Sequence, residues 1–221
     1  METILMSWSG GKDSALALHE IRKDKELRVA ALLTTLTEGY DRISMHGVRR
    51  ALLEQQAAAL GLPLEKIYIS QNASNDEYEA NMAQVLARYK ALGVTAVAFG
   101  DIFLEDLRRY REQKLASLEL KALFPLWKKD TLALAHSLTA QGFKATVTCV
   151  DTTLLPAAFA GRVIDDQFLS ELPPGIDPCG ENGEFHSFVS EGPLFTQKIA
   201  CTLGEIVLRD HRFCFADLIP A

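Results

Sequence analysis

The sequence lacks paired cysteines, long apolar runs and an excess of positive charge. Its four cysteines, at positions 149, 179, 201 and 214, form no C-x-x-C pair, which argues against a zinc ribbon or a thioredoxin-type redox site. No run approaches the ~20 apolar residues that a membrane helix needs, and the N-terminus shows no basic segment with a long apolar stretch. We therefore expect a cytoplasmic protein with reduced thiols and no membrane association.

Charge and composition narrow the class of protein further. Lys and Arg number 23 against 29 Asp and Glu, a formal net charge of −6 over 221 residues. Bulk charge therefore gives no support for a broad nucleic-acid-binding face, and a nucleic-acid partner is not expected. Hydrophobic residues make up 48% of the chain, which is enough to bury a core and excludes intrinsic disorder as the default.

Helical and extended patterns alternate from the first residue, as is typical of a parallel sheet covered by helices. Strands are predicted over 4–8, 29–35, 64–70 and 95–99, and helices over 15–23, 48–60, 76–92, 105–123 and 157–172. Two β-rich runs around Leu203-Gly204 predict an antiparallel tail. The predicted fold is α/β: a doubly wound, mainly parallel, Rossmann-like sheet over 1–127, followed by a smaller C-terminal α+β domain over 128–221.

Between the first strand and the first helix lies SGGKDS, a segment suited to holding a polyphosphate. Glycines let backbone N–H groups point at an anion, and the start of a helix adds partial positive charge. The lysine adds a full charge, and the aspartate can orient it or help to hold the Mg²⁺ that accompanies nucleotide phosphates. The alternative is a tight turn with a capping acid. The predicted phosphate-binding residues are Ser9, Gly10, Gly11, Lys12, Asp13 and Ser14.

SGGKDS resembles the PP-loop of the N-type ATP pyrophosphatases, which cleave ATP between its α and β phosphates. Further segments at 45–49 (MHGVR), 100–102 (GDI), 125–127 (PLW) and 177–186 (DPCGENGEFH) stand in the order seen in the diphthine–ammonia ligase family. This resemblance spans about residues 3 to 195. It implies a HUP-type nucleotide-binding domain that uses ATP and Mg²⁺. It also implies that a substrate carboxylate attacks the α-phosphorus and that ammonia then displaces AMP.

The segment 177–191 crowds acids and a histidine between turn residues. Its turn signals and phenylalanines explain the backbone, but three ionisable side chains in so short a loop gain nothing from crowding unless they bind something. In the ligase family this segment belongs to a second domain that is thought to receive the carboxylate substrate. The resemblance therefore implies acceptor binding by Glu181, Asn182, Glu184 and His186.

Other polar residues follow predicted strands, at the sheet edge where ligands of open α/β folds collect. His46 and Arg49 are predicted to bind phosphate or carboxylate, with a helix-start histidine and a solvated arginine as the alternatives. Gly100 and Asp101 follow the fourth strand, and Asp101 either binds Mg²⁺ or caps the next helix. Lys12 and Asp13 are the predicted catalytic residues, and Asp13 and Asp101 the predicted Mg²⁺ ligands.

The resemblance implies ammonia as the second substrate and the diphthine of elongation factor 2 as the acceptor, and a homo-oligomer is compatible with it. Two alternatives stay open. One is a PP-loop enzyme that adenylates another acceptor, such as a metabolite carboxylate or a tRNA base. The tRNA enzyme would favour a basic face and cysteine pairs, which this chain lacks. The other alternative is an ATP-binding sensor that releases no pyrophosphate.

Overall fold

A six-stranded, mostly parallel sheet occupies the N-terminal part of the chain. The computed structural model describes residues 1–39, 42–43, 47–70 and 74–221. The strands are β1 (Glu2–Ser7), β2 (Leu27–Thr37), β3 (Arg42–Ile43), β4 (Leu64–Ile69), β5 (Val94–Ala98) and β6 (Lys121–Leu123). The helices between them are α1 (Lys12–Ile21), α2 (Arg50–Leu60), α3 (Asn75–Ala91) and α4 (Glu105–Ala116).

The order of the parallel strands reverses beside β1. From β1 the chain pairs outward through β2 to β4, and then returns to place β5 and β6 on the other side of β1. Among the strands of this sheet that the structure describes, the two-residue β3 alone is antiparallel, and it pairs with the end of β2. Ligands of such sheets bind in the crevice outside the carboxyl ends of the strands at this reversal. The predicted doubly wound α/β fold is confirmed, and SGGKDS lies at the reversal.

A second, antiparallel sheet follows. Its strands are β7 (Lys144–Asp151), β8 (Phe185–Glu191), β9 (Cys201–Arg209) and β10 (Phe213–Pro220), in the order β8-β7-β10-β9. It is accompanied by α5 (Thr131–Ala140), a 3₁₀ turn (Ala157–Phe159) and α6 (Asp166–Glu171). The predicted smaller α+β region is confirmed, while its boundary at residue 127 stays a prediction.

One hydrophobic core joins the two sheets. Buried side chains of the first sheet and α1, such as Ile4 and Leu18, belong to the same cluster as Phe185 and Phe188 of β8. The backbone also crosses the junction, because the Val189 amide donates to the Gly10 carbonyl oxygen at 2.9 Å. The SGGKDS loop is therefore packed between the two parts of the chain.

Two predicted helices are shorter than their patterns indicated. The helix over 105–123 ends at Ala116, because the chain turns at Glu119 with a left-handed φ of 54° and continues as β6 beside β5. The predicted helix over 157–172 is interrupted at Gly161, whose φ is 81°, and Val163 bridges to Thr146. Pairing with a neighbouring strand outweighed helix propensity in both segments.

The antiparallel tail is confirmed, but its turn lies elsewhere than predicted. Asp210 and His211, with φ values of 51° and 52°, connect β9 to β10, whereas Leu203 and Gly204 lie inside β9 at a β-bulge. Glycine inside a strand often marks such a bulge. Over the part of the chain that the structure describes, no helix combines the length and apolarity needed to cross a bilayer.

Candidate active site

The SGGKDS loop fits tightly between α2 and β8. Gly10 has a φ of 78°, and a Cβ at this position would lie 2.7 Å from Leu53 Cδ2 and 2.8 Å from Gln56 Oε1. A Cβ at Gly11 would lie 2.9 Å from the Ser187 carbonyl oxygen. The glycines thus let the loop pack closely against α2 and β8. This packing requirement is a second reason for glycine, in addition to the predicted need for space around an anion.

The two loop serines hold the turn closed. Their Oγ atoms lie 2.8 Å apart, and the Ser9 amide donates to Ser14 Oγ at 3.2 Å. The Gly11 amide donates to Ser9 Oγ at 3.3 Å. The serines therefore preorganise the loop, while their predicted contact with phosphate stays a prediction.

Lys12 is a buried charge at the start of α1. Its side chain is 3% exposed, and its Nζ lies 2.9 Å from Asp13 Oδ2 and 5.2 Å from the centre of the Phe185 ring. Burial alone would lower its pKa, but the nearby acidic groups, Asp13 first, outweigh burial and leave the pKa of Lys12 raised. The ammonium group is therefore charged at neutral pH and is held in a site of low dielectric constant.

Asp13 contributes an unused carboxylate oxygen. Burial raises the pKa of its carboxyl group, and the charge of Lys12 opposes that shift. Oδ2 bonds to Lys12, whereas Oδ1 is buried and has no hydrogen-bond partner in the described residues. A buried acceptor without a partner is costly, so Oδ1 is suited to receiving a cation or a donor.

Glu181 reaches from the second part of the chain to the edge of the first sheet. Its Oε1 accepts a hydrogen bond from the Ile102 amide at 2.7 Å. Burial raises the pKa of Glu181 to about 7; the Ile102 hydrogen bond opposes the shift, and the charges of Asp13 and Asp101 add to it. This carboxyl group therefore titrates near neutral pH beside the loop.

The other acids of this segment shape its backbone. Glu184 is buried and accepts hydrogen bonds from the amides of Asp177 and Asn182, at 3.1 and 2.9 Å, and from Asn182 Nδ2 at 3.0 Å. Asp177 Oδ2 in turn accepts from the Cys179 and Glu181 amides, at 3.2 and 2.9 Å. The crowding noted in the sequence is thus explained partly by the turn itself, and acceptor binding by Asn182 and Glu184 stays a prediction.

His186 on β8 lies near Lys12. Burial and, to a smaller extent, the charge of Lys12 lower its pKa to about 4. The imidazole is therefore neutral at physiological pH. A neutral imidazole has one donor and one acceptor nitrogen, and acceptor binding by His186 stays a prediction.

Arg49 makes a bidentate ion pair that the sequence did not indicate. Its Nε and Nη2 donate to the two carboxylate oxygens of Asp217, at 3.0 and 2.6 Å, and Arg42 donates to Asp217 Oδ1 at 2.7 Å. These arginines pull the pKa of Asp217 down to about 2. Asp217 lies on β10, so the pair joins the two parts of the chain, and phosphate binding by Arg49 stays a prediction. The His46 prediction lies outside the described residues.

Gly100 and Asp101 lie beside the start of α1. A Cβ at Gly100 would lie 2.9 Å from the Asp13 carbonyl carbon, so glycine permits this close approach. Asp101 forms an ion pair with Arg111, whose Nε lies 2.8 Å from its Oδ2. Mg²⁺ binding by Asp13 and Asp101 stays a prediction. Within the described ranges, no cluster of three or more metal-ligating side chains occurs.

Gln56 supports the loop and was missed in the sequence. It is fully buried on α2; its Nε2 donates to the carbonyl oxygens of Gly10 and Val189 at 3.0 and 2.7 Å. Its Oε1 accepts from Trp8 Nε1 at 2.9 Å. A glutamine on the apolar face of an Ala- and Leu-rich helix is the signal that could have identified it, because buried amides need partners.

A cavity of about 620 Å³ opens beside the loop. It lies over the carboxyl ends of β1, β2 and β5, between α3 and α4. Ser9, Thr34 and Phe99 line it together with apolar and charged side chains of both helices. Cavities of about 300–1,000 Å³ with mainly apolar walls and a few polar groups hold small ligands. This one is large enough for a nucleoside whose phosphates reach the loop.

A reversed parallel sheet, a glycine-rich loop with a buried lysine at the reversal and a cavity at the strand ends define a nucleotide-binding α/β protein of the PP-loop class. Comparison with known families is specific: the diphthamide synthase N-terminal domain model matches residues 1–122 and the diphthamide synthase C-terminal domain model matches residues 130–215. The chain therefore belongs to the diphthamide synthase family, as the sequence motifs predicted.

Curated relatives agree with this assignment. The chain is 30% identical to a diphthine–ammonia ligase of Danio rerio, in an alignment that covers 90% of the chain and 86% of that protein. Identity to the diphthine–ammonia ligase of Mus musculus is 28%, over 90% and 83% of the two chains. For the Schizosaccharomyces pombe protein of that name it is 30%, over 90% of this chain and 36% of that protein. The prediction of an ATP-dependent ligase is thereby confirmed at the level of the family.

Proposed function

We propose that the protein activates a substrate carboxylate with ATP and then amidates it with ammonia, releasing AMP and pyrophosphate. The acceptor proposed is diphthine, which is the substrate in the names of the relatives. The observation that carries the proposal is Lys12, a buried charged lysine between the glycine loop and β8 and close to the Glu181 segment. A cytoplasmic location would give such an enzyme access to ATP.

In this proposal the cavity binds the nucleoside of ATP and the loop binds its phosphates. The nucleoside would occupy the 620 Å³ cavity, and the β and γ phosphates would lie against the loop at the start of α1, next to Lys12. As the α–β bond breaks, negative charge builds up on the departing pyrophosphate. A fixed ammonium group at low dielectric constant stabilises that charge without reorganising. The reaction requires no side-chain nucleophile, because positioning and charge stabilisation suffice.

Mg²⁺ would be held by Asp13 and Asp101 and would neutralise part of the polyphosphate charge when bound. Asp13 Oδ1 is buried and has no hydrogen-bond partner among the residues that the structure describes, which fits that role. Mg²⁺ in nucleotide sites takes one or two carboxylates together with phosphate oxygens. Asp13 also keeps Lys12 in place through its other oxygen.

Glu181 is the side chain best placed to meet the acceptor. Its position at the Ile102 amide brings the second part of the chain to the loop, and near neutral pH it can carry a negative charge that attracts a cationic group. The trimethylammonium group of diphthine is such a cation. His186, which lies near Lys12, is proposed to contact the acceptor as a neutral imidazole.

The test is release of AMP and pyrophosphate from ATP by the purified protein, with ammonium and diphthine-bearing elongation factor 2. We expect both products in equal amounts, with amidated acceptor, and a loss of about 100-fold or more in rate for Lys12→Met. Lys144→Met, which changes an exposed lysine on β7, should leave the rate unchanged. Circular dichroism would check that both variants are folded.

Each alternative function gives a different result in the same assay. ATP binding without pyrophosphate under any condition would support the sensor and contradict the proposal. Pyrophosphate released with a metabolite carboxylate or a tRNA, but not with the modified elongation factor, would keep the nucleotide chemistry and replace the acceptor. An active Lys12→Met protein would overturn the role of the loop.

A further inference from the structure

Strand β9 exposes an unusual amount of apolar surface for an edge strand. Each of its residues, Cys201–Arg209, is at least partly exposed. The exposed fractions of Leu203, Ile206, Val207 and Leu208 are 51, 50, 39 and 53%. In the part of the chain that the structure describes, β9 pairs only with β10, so its outer edge offers backbone donors and acceptors as well. Edge strands with these properties pair with other strands.

The direction of the backbone groups along β9 follows from the hairpin. The Arg209 carbonyl oxygen accepts from the Arg212 amide at 3.0 Å, which closes the turn and directs the Arg209 backbone groups towards β10. Because these groups alternate along a strand, those of Val207 also face β10, whereas those of Ile206 and Leu208 face outward. The available edge is thus formed by two aliphatic residues.

Two opposite charges flank this edge at matching distances. Glu205 and Arg209 lie two residues on either side of Val207, and both are exposed. Neither forms an ion pair within residues 1–39, 42–43, 47–70 and 74–221. In an antiparallel pair of two identical strands centred on Val207, each Glu205 would face the Arg209 of the other copy. Ile206 would face Leu208 across the hydrogen-bonded positions.

We propose that β9 pairs antiparallel with β9 of a second copy of this chain, centred on Val207, and forms a continuous eight-stranded sheet across a two-fold axis. The arrangement satisfies the outward backbone groups, pairs the exposed aliphatic side chains with one another and places both charges opposite their complements. The homo-oligomer with which the sequence is compatible would then be a dimer joined through β9. It does not depend on the proposed reaction.

The first test measures the mass of the full chain by sedimentation over micromolar concentrations. We expect a monomer–dimer equilibrium that Leu208→Lys shifts fully to monomer with an unchanged circular dichroism spectrum. Glu205→Arg or Arg209→Glu alone should weaken dimerisation at least about tenfold, because two cross-strand pairs become repulsive. The double variant Glu205→Arg/Arg209→Glu should restore it. A monomeric wild-type protein, or a double variant no better than the single ones, would overturn the proposal.

The second test fixes the register by cross-linking. Residues facing each other in a non-hydrogen-bonded antiparallel pair have Cα atoms about 4.5 Å apart, which a disulfide can span. Val207→Cys should therefore form a covalent dimer under mild oxidation. Ile206→Cys, a neighbour of similar exposure that would face Leu208 instead of itself, should remain uncross-linked, as should the wild-type protein. Equal cross-linking of the two variants would refute pairing centred on Val207.

Discussion

Replacing Glu181 by glutamine should stabilise the protein at high pH and leave its stability unchanged at low pH. The amide keeps an oxygen that can accept from the Ile102 amide, the hydrogen bond that Glu181 makes at 2.7 Å. It cannot ionise. The substitution therefore isolates the cost of holding a carboxylate in this buried position next to Asp13 and Asp101.

The sign and size of the effect follow from the raised pKa. Burial moves the pKa of Glu181 from 4.5 to about 7 in the folded protein. Below pH 4.5 both states are protonated and the cost is absent. As the pH rises to 7 the unfolded state ionises first, so the free energy of unfolding falls. Each tenfold change in proton affinity corresponds to about 1.4 kcal/mol, so the loss approaches about 3 kcal/mol above pH 7.

The assay is urea denaturation of both proteins between pH 4.5 and 8, followed by tryptophan fluorescence. Glu181→Gln should match the wild-type protein near pH 4.5 and exceed its free energy of unfolding by up to about 3 kcal/mol at pH 8. Titrating groups away from the site are common to both proteins and cancel. Glu26→Gln, at an exposed position far from the site, is the control. A difference that does not vary with pH would refute the proposed cause.

Three further substitutions test other parts of the site. Gln56→Leu removes three buried hydrogen bonds and should lower the free energy of unfolding by about 3 kcal/mol in urea. Gln55→Leu should have little effect, and equal losses in the two variants would contradict this role. Asp217→Asn should lower the free energy of unfolding by about 2 kcal/mol at pH 7 and by less below pH 4, because the arginines stabilise only the ionised carboxylate, as its depressed pKa shows. A loss that does not vary with pH would exclude the ion pair as its source. His186→Gln should raise the free energy of unfolding by about 2 kcal/mol over the wild-type protein at pH 4.5 and leave it unchanged at pH 8. With a folded-state pKa of about 4, the histidine opposes folding only where the unfolded imidazole is protonated. The reverse pH dependence would show that the folded protein holds a protonated histidine.

The parallel half of the fold could be predicted because local signals agreed with the tertiary structure. Strands β1, β2 and β4 and the helices α2 and α3 follow hydrophobic periods that the sequence shows clearly. Strand β6 could not be predicted in this way. Its three residues continue a helical pattern, and only the neighbouring edge of β5 makes them a strand. The same holds for Val163 beside Thr146. Pairing with a distant segment is invisible to a local pattern.

The loop could be recognised in the sequence, whereas the residues that support it could not. SGGKDS is continuous, so its residue types and spacing predict a phosphate site, and this stays a prediction. Its supports are distant along the chain: Gln56 bonds to Gly10 and Val189, and Asp217 to Arg49. No spacing rule relates such residues. The acids around Glu184 show a second limit of sequence analysis. A cluster of acids that binds a ligand and a cluster that hydrogen-bonds its own turn have the same composition.

The buried charge of Lys12 makes the two parts of the chain depend on each other. Burial alone would lower the pKa of this lysine, and the acids that prevent it include Glu181, which comes from the second part of the chain. The same segment raises the pKa of Glu181 by burying it against the first sheet. A charged lysine and an easily protonated carboxyl group are therefore two consequences of one packing arrangement. The first sheet without the antiparallel sheet would contain the loop but would lack this electrostatic environment.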